Sequence, residues 1–360
     1  MKKTSLYIHT PWCVKKCPYC DFNSHTYQNN ELPEAIYLES LLNDLIRDID
    51  NFGSRPISSI FIGGGTPSLL SGEFYHKILE NIGKIISLDD NIEITIEANP
   101  GTVDTNYFNQ YVQAGINRIS IGVQSFNNFH LKKLGRIHDA NNAMNTFALA
   151  RKAGFENINI DIMHSLPQQS ESQALEDLSQ AIKLDPEHIS WYQLTIEPNT
   201  MFYKTPPELP NQDNVANLEN LGTSLLIANN YLQYEISAFS KKNKECQHNL
   251  NYWMYGDYYG IGAGAHGKLT LSNGDIIRTE KKRIPRDYMN IKDDNHKQRL
   301  LKKEDLIFEF MLNTTRLRTE IPFQLFSDTT NLAIQELMPK LKEAEKFGFI
   351  KIAVDSWELT

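Results

Sequence analysis

"SLYIHTPWCVKKCPYCDFNSH" (residues 5–25) begins as a strand and ends as a chelator. The run "SLYIHT" has the apolar and aromatic content of a buried strand. Immediately after it, Cys13, Cys17 and Cys20 form C-x3-C-x2-C, with His9 and His25 on either side. Such a short, glycine-poor loop can turn three thiolates toward one centre, and soft sulfur selects iron–sulfur clusters or zinc. A structural zinc site normally takes four protein ligands, which would call on His9, His25 or the distant Cys246. A four-iron cluster on three cysteines leaves one iron open to a substrate or cofactor. From the residues alone, cluster, zinc and inert thiols all stay open, with the cluster first.

Outward from this loop the chain repeats one pattern. Strand-like runs recur at "SSIFIGGG" (58–65), "NIEITIEANP" (91–100), "NRISIGVQS" (117–125), "NINIDIMHSLP" (157–167) and "HISWYQLTIEP" (188–198). Between them lie helical patterns at 35–49, 140–154 and 171–184. Strands alternating with helices imply right-handed βαβ units and a parallel sheet. Six units are fewer than the eight of a complete barrel, so the pattern predicts an α/β fold, either an open doubly wound sheet or a partial barrel. In both, ligands sit at the carboxyl ends of the strands. The unusual residues fall at those ends: Cys13 to Cys20, Gly63 to Pro67, Glu97 to Pro100, Gln124, and Asp161 to Pro167.

After about residue 230 the pattern changes. Asn273-Gly274 between alternating runs is a hairpin signal. Residues 302–316 and 331–348 read as amphipathic helices, the second stopped by Gly348 before the strand "FIKIAV". The expectation is a small C-terminal α+β domain; a winged helix is a weaker alternative.

The 360 residues exceed what one core usually supports, and 41% hydrophobic with 22% charged describes an ordinary globular chain. No apolar run approaches the ~18 to 20 residues of a membrane span, and nothing before Cys13 reads as a signal peptide. A cytoplasmic location is therefore expected, where thiols stay reduced and a disulfide is disfavoured. A net charge of −8 argues against nucleic acid as a partner.

Several further residues are ambiguous alone. "FIGGGTPS" (61–68) fits neither phosphate-loop pattern; it is a tight turn or a place where a ligand approaches the backbone. Glu97, Gln124, Arg136 and Asp161 are most simply satisfied polar groups at element ends. In "CQHNLNYWMYGDYYGIGAGAHG" (246–267) a histidine among aromatics could ligate haem iron, or could sit hydrogen-bonded in an aromatic core.

Together these features carry a resemblance. C-x3-C-x2-C with Tyr19 beside the last cysteine resembles the signature of the radical S-adenosylmethionine (SAM) superfamily. That resemblance implies a partial (β/α)6 barrel in which Cys13, Cys17 and Cys20 hold a [4Fe-4S] cluster. Its open iron would chelate the amino and carboxylate groups of SAM. Gly64, Gly65 and Thr66 then look like the glycine motif that receives the methionine amino group, and Glu97 like an acidic SAM contact. Gln124, Arg136 and Asp161 match SAM-site positions of the coproporphyrinogen III oxidase-like branch, and Tyr7, Tyr19 and Thr195 match less distinctive ones. SAM is implied either to be cleaved reductively to methionine and a 5′-deoxyadenosyl radical or to gate the site.

Two members of that branch compete. His248-Asn249-x-x-Tyr252-Trp253 is similar to the H-N-x-x-Y-W motif of its haem chaperones, which makes those four residues haem-binding candidates. The oxidases carry a further cysteine two residues after the last ligand, where this chain has Phe22, and a longer segment than the twelve residues before Cys13. The resemblance therefore favours the chaperone, with haem as cargo for acceptor haem proteins such as membrane-bound respiratory enzymes, over the oxidase. A haem- or zinc-binding scaffold without enzymic chemistry is the alternative from another class. The implied division is a core barrel over 1–235 with the cluster and SAM sites, a connecting segment over 236–290, and a small domain over 291–360.

Overall fold

β1 (Thr4–Thr10), β2 (Ile57–Gly64), β3 (Leu88–Ala98), β4 (Arg118–Gln124), β5 (Ile158–His164) and β6 (His188–Gln193) lie side by side in chain order, all parallel. The computed structural model describes residues 4–27, 31–102, 105–290 and 296–360. Register stacks aliphatic side chains across the strands: Leu6 beside Ile60, Ile60 beside Ile94, and Ile96 beside Ile119 beside Ile158. All of these are buried, as expected of parallel strands covered by crossover helices.

Those helices are α1 (Glu34–Phe52), α2 (Gly72–Ile85), α3 (Thr105–Gln113), α4 (Asn128–Lys133), α5 (Ala140–Ala153) and α6 (Glu171–Lys183), followed by α7 (Gln212–Ala228). Their ends are written locally. Asp139 and Asn142 close a capping box on α5, Ser170 and Gln173 close one on α6, and Gly154 ends α5 at φ +104°.

The barrel stays open. Beyond β6 the sheet continues antiparallel through β8 (Ala238–Ser240) to β7 (Leu232–Glu235). On the other side β1 pairs in parallel with β9 (Asp257–Ile261), which is followed antiparallel by β10 (His266–Thr270), β11 (Ile276–Lys281) and β12 (His296–Leu300). The sheet has twelve strands. The Asn273-Gly274 hairpin joins β10 to β11, with Gly274 at φ +91° and the Leu271 N–H donating to the Asp275 carbonyl at 2.7 Å. A short helix, α8 (Gln247–Trp253), lies between these two sheet extensions in the chain.

The C-terminal elements run α9 (Lys303–Thr314), β13 (Ile321–Pro322), α10 (Phe323–Thr330), α11 (Met338–Lys346), β14 (Ile350–Ile352) and β15 (Ser356–Leu359). β15 sits between β13 and β14, and Phe310, Phe326, Leu337, Leu341 and Trp357 form a separate core. This is the element order of a winged helix. The helix expected over 331–348 is shorter: Asn331, in the left-handed region (φ +57°), caps the end of α10, a 3-10 turn follows at Ile334–Glu336, and α11 starts only at Met338. Pro339 explains the restart, because proline lacks an N–H and is accommodated in a helix only at its first turn. No described helix is long and apolar enough to cross a membrane.

Candidate functional site

The cysteine loop leaves the carboxyl end of β1 and folds back on itself. Trp12 and Cys13 pair in parallel with His25 and Thr26, and the Tyr27 N–H donates to the Cys13 carbonyl at 3.1 Å. Asn23 ties the loop to the second half of the chain, its Nδ2 donating to the carbonyls of Ala263 and Arg283, both at 2.8 Å. Cys13 is buried, Cys17 and Cys20 are half-buried, and all are free thiols.

Each sulfur has its own polar neighbour. Thr66 Oγ1 donates to Cys13 Sγ at 3.3 Å, Arg136 Nη1 lies 3.8 Å from Cys17 Sγ, and Ser24 Oγ lies 3.9 Å from Cys20 Sγ. Burial pushes the Cys13 and Cys20 thiols up, against the pull of these hydroxyls. His9 is not a spare ligand: its ring nitrogens sit 2.9 Å from the Tyr7 hydroxyl and 2.9 Å from the Asn23 carbonyl, and burial lowers it to about 4. His25 Nε2 is likewise 3.1 Å from the Arg283 carbonyl. Among the described residues no trio of His, Cys, Asp or Glu converges on a single ion. Hydroxyl and guanidinium donors to the sulfurs are what a thiolate-held metal centre calls for.

The glycine run brings the end of β2 against this loop. Gly65 N–H donates to the Thr10 carbonyl at 2.6 Å and Thr66 N–H to the Trp12 carbonyl at 2.7 Å. A Cβ on Gly65 would stand 2.5 Å from the Trp12 carbonyl oxygen. Gly64, at φ +111°, donates its N–H to Glu97 Oε2 at 3.2 Å.

Glu97, Gln124 and Asp161 end β3, β4 and the middle of β5 on the same wall. Burial, with Asp161 adding like charge, raises the Glu97 carboxyl to about 8. Asp161 is also raised by burial, opposed by hydroxyl and amide donors; Ser120 Oγ and Asn159 Nδ2 each reach it at 2.9 Å. Gln124 holds φ +69°, a conformation glutamine rarely adopts, and its Oε1 accepts from the Tyr192 hydroxyl at 2.8 Å. Arg136 Nη2 donates to the Gly122 carbonyl at 2.7 Å.

One cavity of about 580 Å³ gathers these groups. Its wall contains Cys13, Cys17, Tyr19, Cys20, Gly64, Gly65, Thr66, Glu97, Gln124, Arg136, Asp161 and Thr195. Tyr7 is not on this wall; it stands behind His9. The His248-Asn249-x-x-Tyr252-Trp253 set is split. Asn249 and Trp253 line the cavity, whereas His248 and Tyr252 do not. His248 is 1% exposed, packed on Phe61 and Tyr252, with Nδ1 3.2 Å from Ser59 Oγ and Nε2 without a partner; burial lowers it to about 3. A larger cavity of about 770 Å³ lies at the opposite strand ends, lined by Ser58, Asp89 and Asp257, away from the cysteines. The three cysteines, the glycine turn and Glu97, Gln124, Arg136 and Asp161 line the smaller one.

The sequence reading missed Ser24, Tyr192, Glu235 and Arg316, all on the cavity wall. Tyr192 ends β6 and was reachable by asking what else sits at a strand end. Glu235 and Arg316 carry no local signal.

Residues 7–181 match the radical SAM superfamily model and residues 301–360 match the HemN C-terminal domain model. "Heme chaperone HemW" of Haemophilus influenzae is 49% identical over 99% of this chain and 94% of that protein. The protein of that name from Escherichia coli K12 is also 49% identical, over 99% and 94%; the Bacillus subtilis one is 40% identical over 74% and 71%. Among solved structures, coproporphyrinogen III oxidase (HemN) from Escherichia coli, titled a radical SAM enzyme, superposes with a TM-score of 0.82 at 20% identity, covering 100% of this chain and 87% of that one. That likeness speaks for the fold alone. Near-full-length identity at this level places the chain: it belongs to the radical SAM superfamily and, within it, to the HemW family.

Proposed function

We propose that this chain is a haem chaperone, binding haem and passing it to acceptor haem proteins, with SAM and a [4Fe-4S] cluster as its resident cofactors. The observation that carries the reading is 49% identity across 99% of the chain to proteins named haem chaperones, beside 20% to the oxidase whose fold it shares. Cys13, Cys17 and Cys20 would hold the cluster. Gly64, Gly65, Thr66, Glu97, Gln124, Arg136, Asp161 and Thr195 would line the SAM site, with Tyr19 beside it and Tyr7 setting His9 behind it. When bound, the cluster supplies an iron position for the amino and carboxylate groups of SAM and one electron to it.

The protein groups have separate tasks. Thr66, Ser24 and Arg136 offer hydrogen-bond donors to the sulfurs. The glycine backbone leaves room beside the loop, and burial with the like charge of Asp161 raises the Glu97 carboxyl to about 8, which favours its protonated form. Haem would meet the chain through Asn249 and Trp253, on the wall of the same cavity, with His248 behind them. Residues 1–235 would serve the cofactors, 236–290 the haem motif, and 291–360 would close the far side. The acceptors in this reading are membrane-bound respiratory haem enzymes, served from the cytoplasm.

The test is anaerobic. Reconstituted protein is given haem in one reaction and coproporphyrinogen III with SAM and a reductant in another. Retained haem with no protoporphyrinogen is expected; stoichiometric decarboxylation would replace the chaperone by the oxidase.

A further inference from the structure

The wall of the cavity carries the cysteines with Arg136, Lys15 and Lys16, and also Asn249, Trp253, Glu235 and Arg316, of which the last three are in mutual contact through Arg316. Among the described residues on its wall, Arg316 is the one Lys or Arg that neither belongs to the cysteine loop nor contacts one of its sulfurs. It arrives from outside the barrel, two residues beyond α9. The chain from 316 to 318 runs along β7, with a bridge between Leu317 and Glu235 and the Arg318 N–H donating to the Tyr234 carbonyl at 3.0 Å.

Arg316 is pre-set and under-used. Its guanidinium carbon lies 4.2 Å from the centroid of the Trp253 indole, within cation–π range. Its hydrogen bond is a single long one, Nη2 to Glu235 Oε2 at 3.3 Å, and its Nε has no partner. A guanidinium has five N–H donors in a fork that matches a carboxylate. Glu235 is itself a compromised partner: burial raises its carboxyl, and its other oxygen already accepts the Ser237 N–H at 2.9 Å. The side chain of Arg316 is 35% exposed, so an incoming anion can reach it.

We infer that Arg316 is a carboxylate anchor for the cargo, taking a propionate of the tetrapyrrole while Trp253 holds the guanidinium in place. This rests on the haem reading and extends it to a residue outside the H-N-x-x-Y-W motif. Glu235 is then the internal stand-in that occupies the fork until the propionate arrives.

The experiment titrates full-length, reconstituted protein with haem and with haem dimethyl ester, whose propionates are masked, following the Soret band; SAM binding is measured alongside. Wild type should prefer haem over the ester, and Arg316→Gln should lose roughly tenfold to a hundredfold in haem affinity with the ester unchanged. Arg316→Lys, which keeps the charge, should recover part of the loss. Glu235→Gln, which removes the competing negative charge, should tighten haem and leave the ester alone. An equal loss for haem and ester in Arg316→Gln would mean a structural role and overturn the assignment, as would unchanged haem affinity or a change confined to SAM. Wild type that binds neither porphyrin would overturn the haem reading itself, and this assignment with it.

Discussion

At the scale of the residue, Thr66 and Glu97 make the most specific demands. A hydroxyl donating to a cluster thiolate stabilises the more negative, reduced state, so Thr66→Val should keep the cluster and make it harder to reduce. An EPR-monitored redox titration reads this, and an unchanged potential would remove the hydrogen bond from the account. Cys13→Ala, Cys17→Ala or Cys20→Ala should each abolish the broad absorption near ~400 nm that reconstitution otherwise gives. Glu97 makes a prediction about pH. Its carboxyl is raised from 4.5 to about 8, so the folded state favours the protonated form. That preference stabilises the fold fully below 4.5 and is lost as pH rises through 8. Glu97→Gln protein without cofactors should therefore match wild type at pH 4 and become relatively more stable toward pH 9, as urea midpoints would show. Parallel curves across that range would refute the buried, protonated carboxyl.

At the scale of the element, the β2-to-helix turn is where packing leaves no slack. A Cβ on Gly65 meets the Trp12 carbonyl oxygen at 2.5 Å, and backbone cannot step aside as a flexible side chain can. Gly65→Ala should cost about 1–3 kcal/mol and loosen the cysteine loop. Thermal unfolding together with the iron content after reconstitution would check it; normal values for both would show that the loop tolerates displacement. Gly115, with open space around its missing Cβ but φ +96°, separates the two reasons for glycine: there strain alone opposes a side chain.

At the scale of the whole molecule, the 236–290 stretch is fastened to the barrel by a buried charge group. Lys281 Nζ lies 2.6 Å from Asp44 and 2.8 Å from Asp48 on α1, all three are within 1% exposure, and the Tyr288 hydroxyl donates to Asp44 at 2.7 Å. Removing the cation strands two buried carboxylates, so Lys281→Met should destabilise by about 3–5 kcal/mol in urea unfolding. A loss under ~1 kcal/mol would mean the site takes in water or a proton. This fastening matters for function because the Gly262–Ala265 turn, which it supports through Gly262 N–H to Asp44 and Lys281 N–H to the Ala265 carbonyl, receives Asn23 of the cysteine loop at the Ala263 carbonyl.

Much of this molecule is legible locally. The parallel strands, the helices between them, the clustering of Cys13, Cys17 and Cys20 and the glycine turn follow from short-range pattern, because period and spacing act within one βαβ unit, whereas Glu97, Gln124 and Asp161 stand out as site residues only through the resemblance. The helix over 331–348 shows the limit of period alone, since Asn331 and Pro339 break an apolar rhythm that otherwise looks continuous. The haem motif needed the fold. On α8, Asn249 and Trp253 are four residues apart on one stripe and face the cavity, while His248 and Tyr252 share the neighbouring stripe and face the barrel interior. The letters give two stripes; only packing against β2 decides which one meets a ligand. Arg316 needed it most. It reaches the cavity because residues 316–318 run along β7, and a wall shared with Cys13, some three hundred residues earlier in the chain, has no period or spacing to announce it.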